Sequence, residues 1–141
     1  MKPARERHFR LSDEAFAQQF AESTLKPGLF THVAHLRLAY IHLQAHGLEQ
    51  AIENMNTQIL AFATAQNMAG NFNRTVTTAA VYTMHNFMQR ATGDGFEALI
   101  EEFPQLTTDL KGVLAQHYSG DIFRSQEAKA RFLEPDLKPF T

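Results

Sequence analysis

Helix-capping residues recur along this chain at the start of its apolar stretches. Ser12, Thr31 and Asn73 each precede a segment whose apolar residues return every three or four positions, and Ser125 can cap a last short helix. Ser, Thr and Asn favour the N-cap because their side-chain oxygens accept hydrogen bonds from free backbone N–H groups. Spacings of three and four place apolar side chains on one helix face, whereas a half-buried strand would alternate. The pattern predicts an all-α fold.

Four main helices are predicted, and shorter ones follow them. The expected helices run from Ser12 to before Lys26, from Thr31 to Gly47, from Leu48 to about Asn67 or Gly70, from Asn73 to about Arg90, from Phe96 to Phe103, from Leu106 to near Gly120, and briefly after Ser125. Because the connections are short, neighbours should be antiparallel. We therefore expect an irregular antiparallel helical bundle of four main helices plus short C-terminal helices. It forms a single domain, 1–141, with a basic flexible arm at 1–11 and an extended tail at 132–141.

Composition excludes several classes of function. A chain of 141 residues is long enough for one core, and its formal net charge of −2 gives no general attraction to nucleic acid or to a membrane surface. The sequence contains no cysteine, which excludes disulfides, thiolate nucleophiles and sulfur-ligated metals. No apolar run approaches the length of about 18 residues expected of a membrane span, and the basic N-terminus lacks the apolar run of a signal peptide. We expect a cytoplasmic protein.

Four of the seven histidines lie on the second predicted helix. Separations of three, seven and four residues gather His32, His35, His42 and His46 on one narrow face. Ten residues of helix rise about 15 Å, so the four form two local pairs rather than one site. Imidazole changes charge near neutral pH and binds metals, which makes each pair a candidate for chemistry. Alternatively, the first pair are hydrogen-bonded core residues and the second pair are partly exposed near the helix C-terminus.

The remainder of this helix is largely apolar. Arg37 and Gln44 form its expected polar face, about half a turn from the histidines, so most of the circumference should be buried. A metal would need ligands beyond one histidine pair, yet the sequence contains neither His-Glu-x-x-His nor Glu-x-x-His. We therefore expect no tightly bound metal, and the sequence indicates no particular cofactor.

Arg74 is a second candidate for chemistry. No Lys or Arg occurs between Arg37 and Arg74, and Arg74 directly follows Asn73, the expected cap of the fourth helix. A helix N-terminus presents free N–H groups, and a guanidinium beside it favours a small anion. Thr78 and His85 lie on the same side of this helix. The alternative is a surface arginine next to an ordinary cap.

Several motifs together resemble an uncharacterised family of small bacterial helical proteins. In order, they are Phe-Thr-His-Val-Ala-His-Leu-Arg at 30–37, Asn-Phe-Asn-Arg-Thr-Val-Thr at 71–77, His-Tyr-Ser at 117–119, Ser-Gln-Glu-Ala-Lys-Ala-Arg at 125–131 and Glu-Pro-Asp-Leu at 134–137. The resemblance covers nearly all of the chain beyond residue 25. It implies a helical fold and supplies no activity.

This chain departs from the family pattern at two positions of interest. The family has His-Glu before Thr-x-Thr, where this chain has Asn73 and Arg74, and it often has Glu where this chain has Val33. Histidines with carboxylates would suit a metal or acid–base work. A cation at Arg74 would repel a metal, so the resemblance suggests that this member binds an anionic small molecule instead.

Two functions of different classes follow from these residues. The first is a small-molecule-binding protein or an enzyme acting on a small anionic metabolite. Its pocket lies among helices two, four and six, with candidate catalytic residues His32, His35 and His117 and candidate ligand-binding residues Asn73, Arg74, Thr77 and Tyr118. The alternative is a non-catalytic interaction or structural protein that forms a homodimer through Phe- and Met-rich faces. Convergence of these residues in one cavity favours the first function, and their dispersal favours the second.

Overall fold

The computed structural model describes residues 5–140. Eight α-helices occur within this range, which contains no strand, and the predicted all-α fold is confirmed. They are α1 (Asp13–Ala21), α2 (His32–His46), α3 (Leu48–Ala65), α4 (Arg74–Arg90), α5 (Phe96–Glu102), α6 (Gln105–Thr108), α7 (Leu110–Leu114) and α8 (Gln126–Ala130). Within the described range, no helix combines the length and the apolar character needed to cross a bilayer.

The predicted caps begin four of these helices. The side chains of Ser12, Thr31, Asn73 and Ser125 each accept a hydrogen bond from the backbone N–H three residues further on. Each bond satisfies one of the N–H groups that a helix leaves unpaired at its start. The predicted starts of α1, α2, α4 and α8 are therefore confirmed.

The helices pack around two apolar clusters. Helices α2, α3 and α4 pack against one another, and α1 and α5 add side chains such as Phe16, Phe20 and Phe96 to this first cluster. The second cluster contains Ala79 from α4 together with side chains from the C-terminal third of the chain, which are Leu114, Tyr118, Ile122, Ala128 and Phe140. Helix α4 contributes to both clusters, so it joins the two parts of the molecule.

The prediction of one long sixth helix between Leu106 and Gly120 is wrong. The chain forms α6 and α7 instead, because Asp109 adopts φ −153° and ψ 52°, outside the helical region. The carboxylate of Asp109 then accepts a hydrogen bond from the Gly112 N–H and caps α7. The apolar spacing continues through both helices and therefore gave no indication of the break.

The prediction that Arg37 faces solvent is also wrong. Its side chain is 5 % exposed and forms an ion pair with Asp13, with Nη2 and Oδ1 2.8 Å apart. Its other N–H groups donate to the carbonyl oxygens of His8 and Leu11 at 2.8 Å. These acceptors come from the segment before α1, so the helix pattern of α2 alone could not reveal them.

Both ends of the described chain pack more closely than expected. Arg7–Arg10 forms a 3-10 helix in which His8 is fully buried, in contrast to the flexible arm expected over 1–11, whose first four residues lie outside the description. Residues 132–140 contain no helix, in keeping with an irregular tail. Phe140 nevertheless lies buried in the second cluster, which fastens the tail to the helices. Residue 141 of the expected tail lies outside the description.

Candidate functional site

A cavity of about 330 Å³ opens between α2, α4 and the segment that joins α6 to α7. Its wall is partly apolar and partly polar. The lining residues are His32, His35, Leu36, Val76, Ala80, Thr107, Thr108, Asp109, Leu110, Lys111 and Phe123. Because α2 begins at His32, the spacing of three places the first histidine pair together in this wall.

His32 links α2 to the opposite side of the cavity. Its Nε2–H donates to the carbonyl oxygen of Leu106, at a distance of 3.1 Å, since a carbonyl can only accept. This bond requires a proton on Nε2. The side chain is otherwise exposed.

His35 has a different environment. Its ring is stacked on Phe30, with 5.6 Å between the ring centroids, and its Nε2 is buried without a hydrogen-bond partner in the described chain. Burial, reinforced by the neighbouring His32, lowers the pKa of His35 to about 4. The ring is therefore uncharged at neutral pH. An unpaired buried nitrogen costs about 1–3 kcal/mol, which a ligand group bonded to it would recover.

The α6–α7 side of the cavity carries one side chain of each charge within the described residues. Asp109 uses one carboxylate oxygen as the cap of α7, 3.1 Å from the Gly112 nitrogen. The Lys111 Nζ lies 5.0 Å from the centroid of the Phe123 ring, a cation–π contact that holds it beside the cavity. Asp109 and Lys111 are both exposed, so solvent reaches this side.

Asn73 and Arg74 do not line this cavity. Asn73 caps α4 through Oδ1, and its Nδ2 donates to the carbonyl oxygen of Ile122 at 2.8 Å. Arg74 is half-buried, and its guanidinium carbon lies 5.4 Å from the centroid of the Phe72 ring. Thr77 is buried within α4 and is also absent from the wall.

His117 and Tyr118 lie elsewhere too. The Nδ1–H of His117 donates to the carbonyl oxygen of Lys138 at 2.6 Å, and its ring is stacked on Phe140. The Tyr118 hydroxyl donates to the carbonyl oxygen of Leu133 at 2.7 Å, and burial raises the pKa of this phenol. Each residue lines a separate cavity, so the structure brings only His32 and His35 together.

Four of the five sequence motifs, at 71–77, 117–119, 125–131 and 134–137, meet around the C-terminal segment. The Thr75 hydroxyl donates to the carbonyl oxygen of Arg131 and accepts from the Leu133 N–H, at 2.8 and 3.0 Å. Asp136 accepts hydrogen bonds from both the backbone N–H and the hydroxyl of Ser119. These bonds therefore hold the segment from Arg131 to Asp136 against α4 and against the residues that follow α7.

His42 and His46, the second histidine pair, lie in different environments and do not form one site. His42 is buried, in contrast to the exposed position considered for it, and its Nδ1 accepts from Asn54 at 3.3 Å. Burial and the nearby His46 lower the pKa of His42. His46 itself is exposed. In residues 5–140, no cluster of three or more His, Asp or Glu side chains could hold a metal ion.

Sequence reasoning missed the α6–α7 side of the cavity. The sequence predicts one long helix that contains Thr107, Thr108, Asp109 and Lys111, and nothing in their spacing indicates that they face the first histidine pair.

Comparison of the chain with protein-family models, with curated proteins and with solved structures gives no match. The cavity is therefore interpreted from its own residues.

Proposed function

We propose that this protein binds a small metabolite with an acidic group in the cavity beside His32 and His35. The observation that carries the proposal is a cavity of about 330 Å³ whose wall contains a buried imidazole nitrogen without a partner. This volume lies within the range of roughly 300–1,000 Å³ of known ligand pockets. Such pockets combine an apolar wall with a few convergent polar groups.

The wall suggests how such a ligand would lie. Leu36, Val76 and Ala80 offer an apolar surface to the body of the ligand. Lys111 supplies a positive charge for its acidic group, and a nitrogen of His35 can donate to the same group. The carboxylate of Asp109 partly opposes an anion, but one of its oxygens is already engaged by the backbone of α7. In this proposal the cation that binds the acidic group is Lys111, whereas the sequence pattern predicted Arg74.

The low pKa of His35 favours a binding role over a catalytic one. A general base works best when its pKa lies near the working pH, and a ring with a pKa of about 4 is a weak base at neutral pH. An anion bound beside the ring would raise that pKa, because it stabilises the imidazolium form. Binding should therefore be accompanied by proton uptake and should strengthen as the pH falls toward 5.

The alternative, a homodimeric interaction protein, has one specific observation in its favour. His117, Tyr118 and Asn73 all bond to backbone carbonyl groups, as expected of residues that satisfy buried polar contacts. The surface offers less support. In the described chain, the large apolar side chains that are strongly exposed are Met68 and Leu137, at 53 % and 58 %. We therefore prefer the ligand-binding function.

Nuclear magnetic resonance titration with small carboxylates, benzoate first, tests the proposal. We expect saturable shifts of the amide signals of residues 32–36 and 107–111. Lys111→Gln should weaken benzoate binding about fivefold, the effect of losing an exposed charge pair worth ~1 kcal/mol. Lys26→Gln makes the same charge change at an exposed lysine that does not line the cavity. It should bind like the wild type.

A second variant tests the position of the ligand. Val76→Phe adds a ring to the cavity wall and should abolish the shifts at residues 32–36 while the helical spectrum is retained. If no small carboxylate causes saturable shifts at millimolar concentration, or if Val76→Phe binds benzoate as tightly as the wild type, the assignment of the ligand to this cavity is wrong. Measuring the oligomeric state of the same samples shows whether the chain forms the homodimer of the alternative function.

A further inference from the structure

A second cavity, of about 240 Å³, lies between the C-terminal half of α4, helices α6 and α7, and the tail. It is separate from the cavity beside His35, and the two share no lining residue. Arg90 reaches it from α4, Lys138 from the tail and His117 from the segment after α7. The tail thus closes one side of a polar cavity as well as covering the second cluster.

The charge of this wall is unbalanced. Arg90 and Lys138 both line the cavity, whose described wall contains no Asp or Glu. Neither cation belongs to an ion pair within residues 5–140. The Arg90 guanidinium carbon lies 4.5 Å from the Phe87 ring centroid and 5.3 Å from that of Phe103. Those rings hold the cation in place and leave its N–H groups without a carboxylate partner.

Thr83 supplies an independent observation. Its side chain is 2 % exposed, it lines the cavity, and its buried Oγ1 has no hydrogen-bond partner in the described chain. A buried hydroxyl without a partner is costly, so it favours a polar occupant within reach. A hydroxyl can donate to an anionic oxygen in the same way as the Arg90 fork.

We propose that this cavity binds a phosphate group, either as inorganic phosphate or as the phosphoryl group of a small metabolite. Two uncompensated cations match a group that carries nearly two negative charges at neutral pH better than they match a carboxylate. The guanidinium provides a planar fork of donors and the ammonium a point charge, a common pairing for phosphate. The small volume restricts the occupant to phosphate or a compact phosphomonoester.

Calorimetric titration at constant ionic strength tests this site, with inorganic phosphate and glycerol 3-phosphate as the two probes. We expect saturable binding of at least one probe. The probe that binds more tightly identifies the source of the phosphate group. Arg90→Gln and Lys138→Gln should each weaken that binding about tenfold, as expected when one charged partner is lost. Lys138 is exposed, so its variant should fold normally.

Matched variants separate this site from general charge effects and from the cavity beside His35. Arg124→Gln and Lys26→Gln remove the same charges from exposed residues outside the wall and should change the affinity less than twofold. His35→Gln should retain phosphate binding in full. Failure of benzoate to bind would leave this result unchanged, because the two cavities share no residue.

Thr83→Val provides a readout that a merely structural role would not give. It should weaken phosphate binding several-fold, while the melting temperature without phosphate stays the same or rises because an unpaired buried hydroxyl is removed. The proposal is overturned if neither probe binds at millimolar concentration, if the control variants lose as much affinity as the wall variants, or if Thr83→Val binds phosphate like the wild type.

Discussion

Three histidines should make this protein sensitive to acid. Burial lowers the pKa of His8, His35 and His42, and for His35 the value falls to about 4. The hydrogen bond that the His8 ring donates to the Glu6 carboxylate partly opposes this effect on the pKa of His8. All three rings are more easily protonated in the unfolded chain than in the folded protein. Acid should therefore favour unfolding through these residues.

His35 should account for a large part of this acid sensitivity. Its pKa is 6.5 when unfolded and about 4 when folded, so the free energy of unfolding should decrease as the pH falls from 6.5 to about 4 and then level off. The loss from this residue should be about 3 kcal/mol at most. Denaturant unfolding at a series of pH values measures it. His35→Gln should lose less stability over this interval than the wild type, whereas the exposed-site variant His46→Gln should not.

A wild-type protein whose free energy of unfolding is constant between pH 6.5 and 4 would contradict the burial of these rings.

His35 also shows what a sequence can and cannot indicate about the site. The spacing of His32 and His35 placed both on one helix face, and that face lines a cavity. The burial of the His35 Nε2 and the exposure of His32 depend on Phe30 and on the α6–α7 segment, which the helix pattern does not contain.

At the scale of helices, residues close in sequence specify where a helix begins, but they do not specify which neighbour covers each of its faces. The caps at Ser12, Thr31 and Asn73 were predictable because each acts on a backbone N–H only three residues away. The orientation of Arg37 depends on carbonyl groups more than 25 residues distant. A periodic pattern gives the relative positions of side chains around a helix, but it does not say which neighbour covers each face.

Gly47 is the connection that positions α2 against α3. It adopts φ 82° and ψ 177°, a conformation that is essentially restricted to glycine. A Cβ added there would meet no atom within 4 Å, so substitution costs only backbone strain. We expect Gly47→Ala to lower the free energy of unfolding by about 1–3 kcal/mol. Denaturant unfolding monitored by circular dichroism measures the change.

Gly28 offers the matched control for this prediction. It also has open space around its Cα, but it lies in a 3-10 helix and has no positive φ. Gly28→Ala should be neutral or stabilising by up to about 1 kcal/mol, because alanine restricts the unfolded chain. Equal effects of the two substitutions would show that the conformation of Gly47 does not limit the turn between α2 and α3.

At the scale of the whole molecule, the second cluster depends on contacts between distant segments. The first cluster is built largely from α2, α3 and α4, which follow one another closely in the chain. The second requires residues 114–140 to fold back onto α4, through bonds such as that between Thr75 and Arg131, which are 56 positions apart. Neither helical spacing nor capping specifies such pairs, so the arrangement of the tail could not be derived from them.

Tyr118→Phe tests whether the tail opens independently of the first cluster. The substitution removes the hydrogen bond to the Leu133 carbonyl and leaves that group unpaired, which should cost about 1 kcal/mol. Hydrogen exchange measures the result at the amides of Leu133 and Leu137, which bond to Thr75 and His117. Both should exchange about fivefold faster, while amides of α2 and α3 remain unchanged.

Tyr82→Phe is the control for this substitution, since Tyr82 stacks on Phe140 but its hydroxyl bonds to no described residue. It should leave the Leu133 and Leu137 amides as they are in the wild type. An equal acceleration of exchange in α2, α3 and the tail would mean that the molecule opens as one unit. Acceleration confined to the tail would instead make α4 a shared wall between a stable bundle and a less stable C-terminal layer. That layer also closes the cavity of Arg90 and Lys138, so a phosphate group bound there should slow the same two amides.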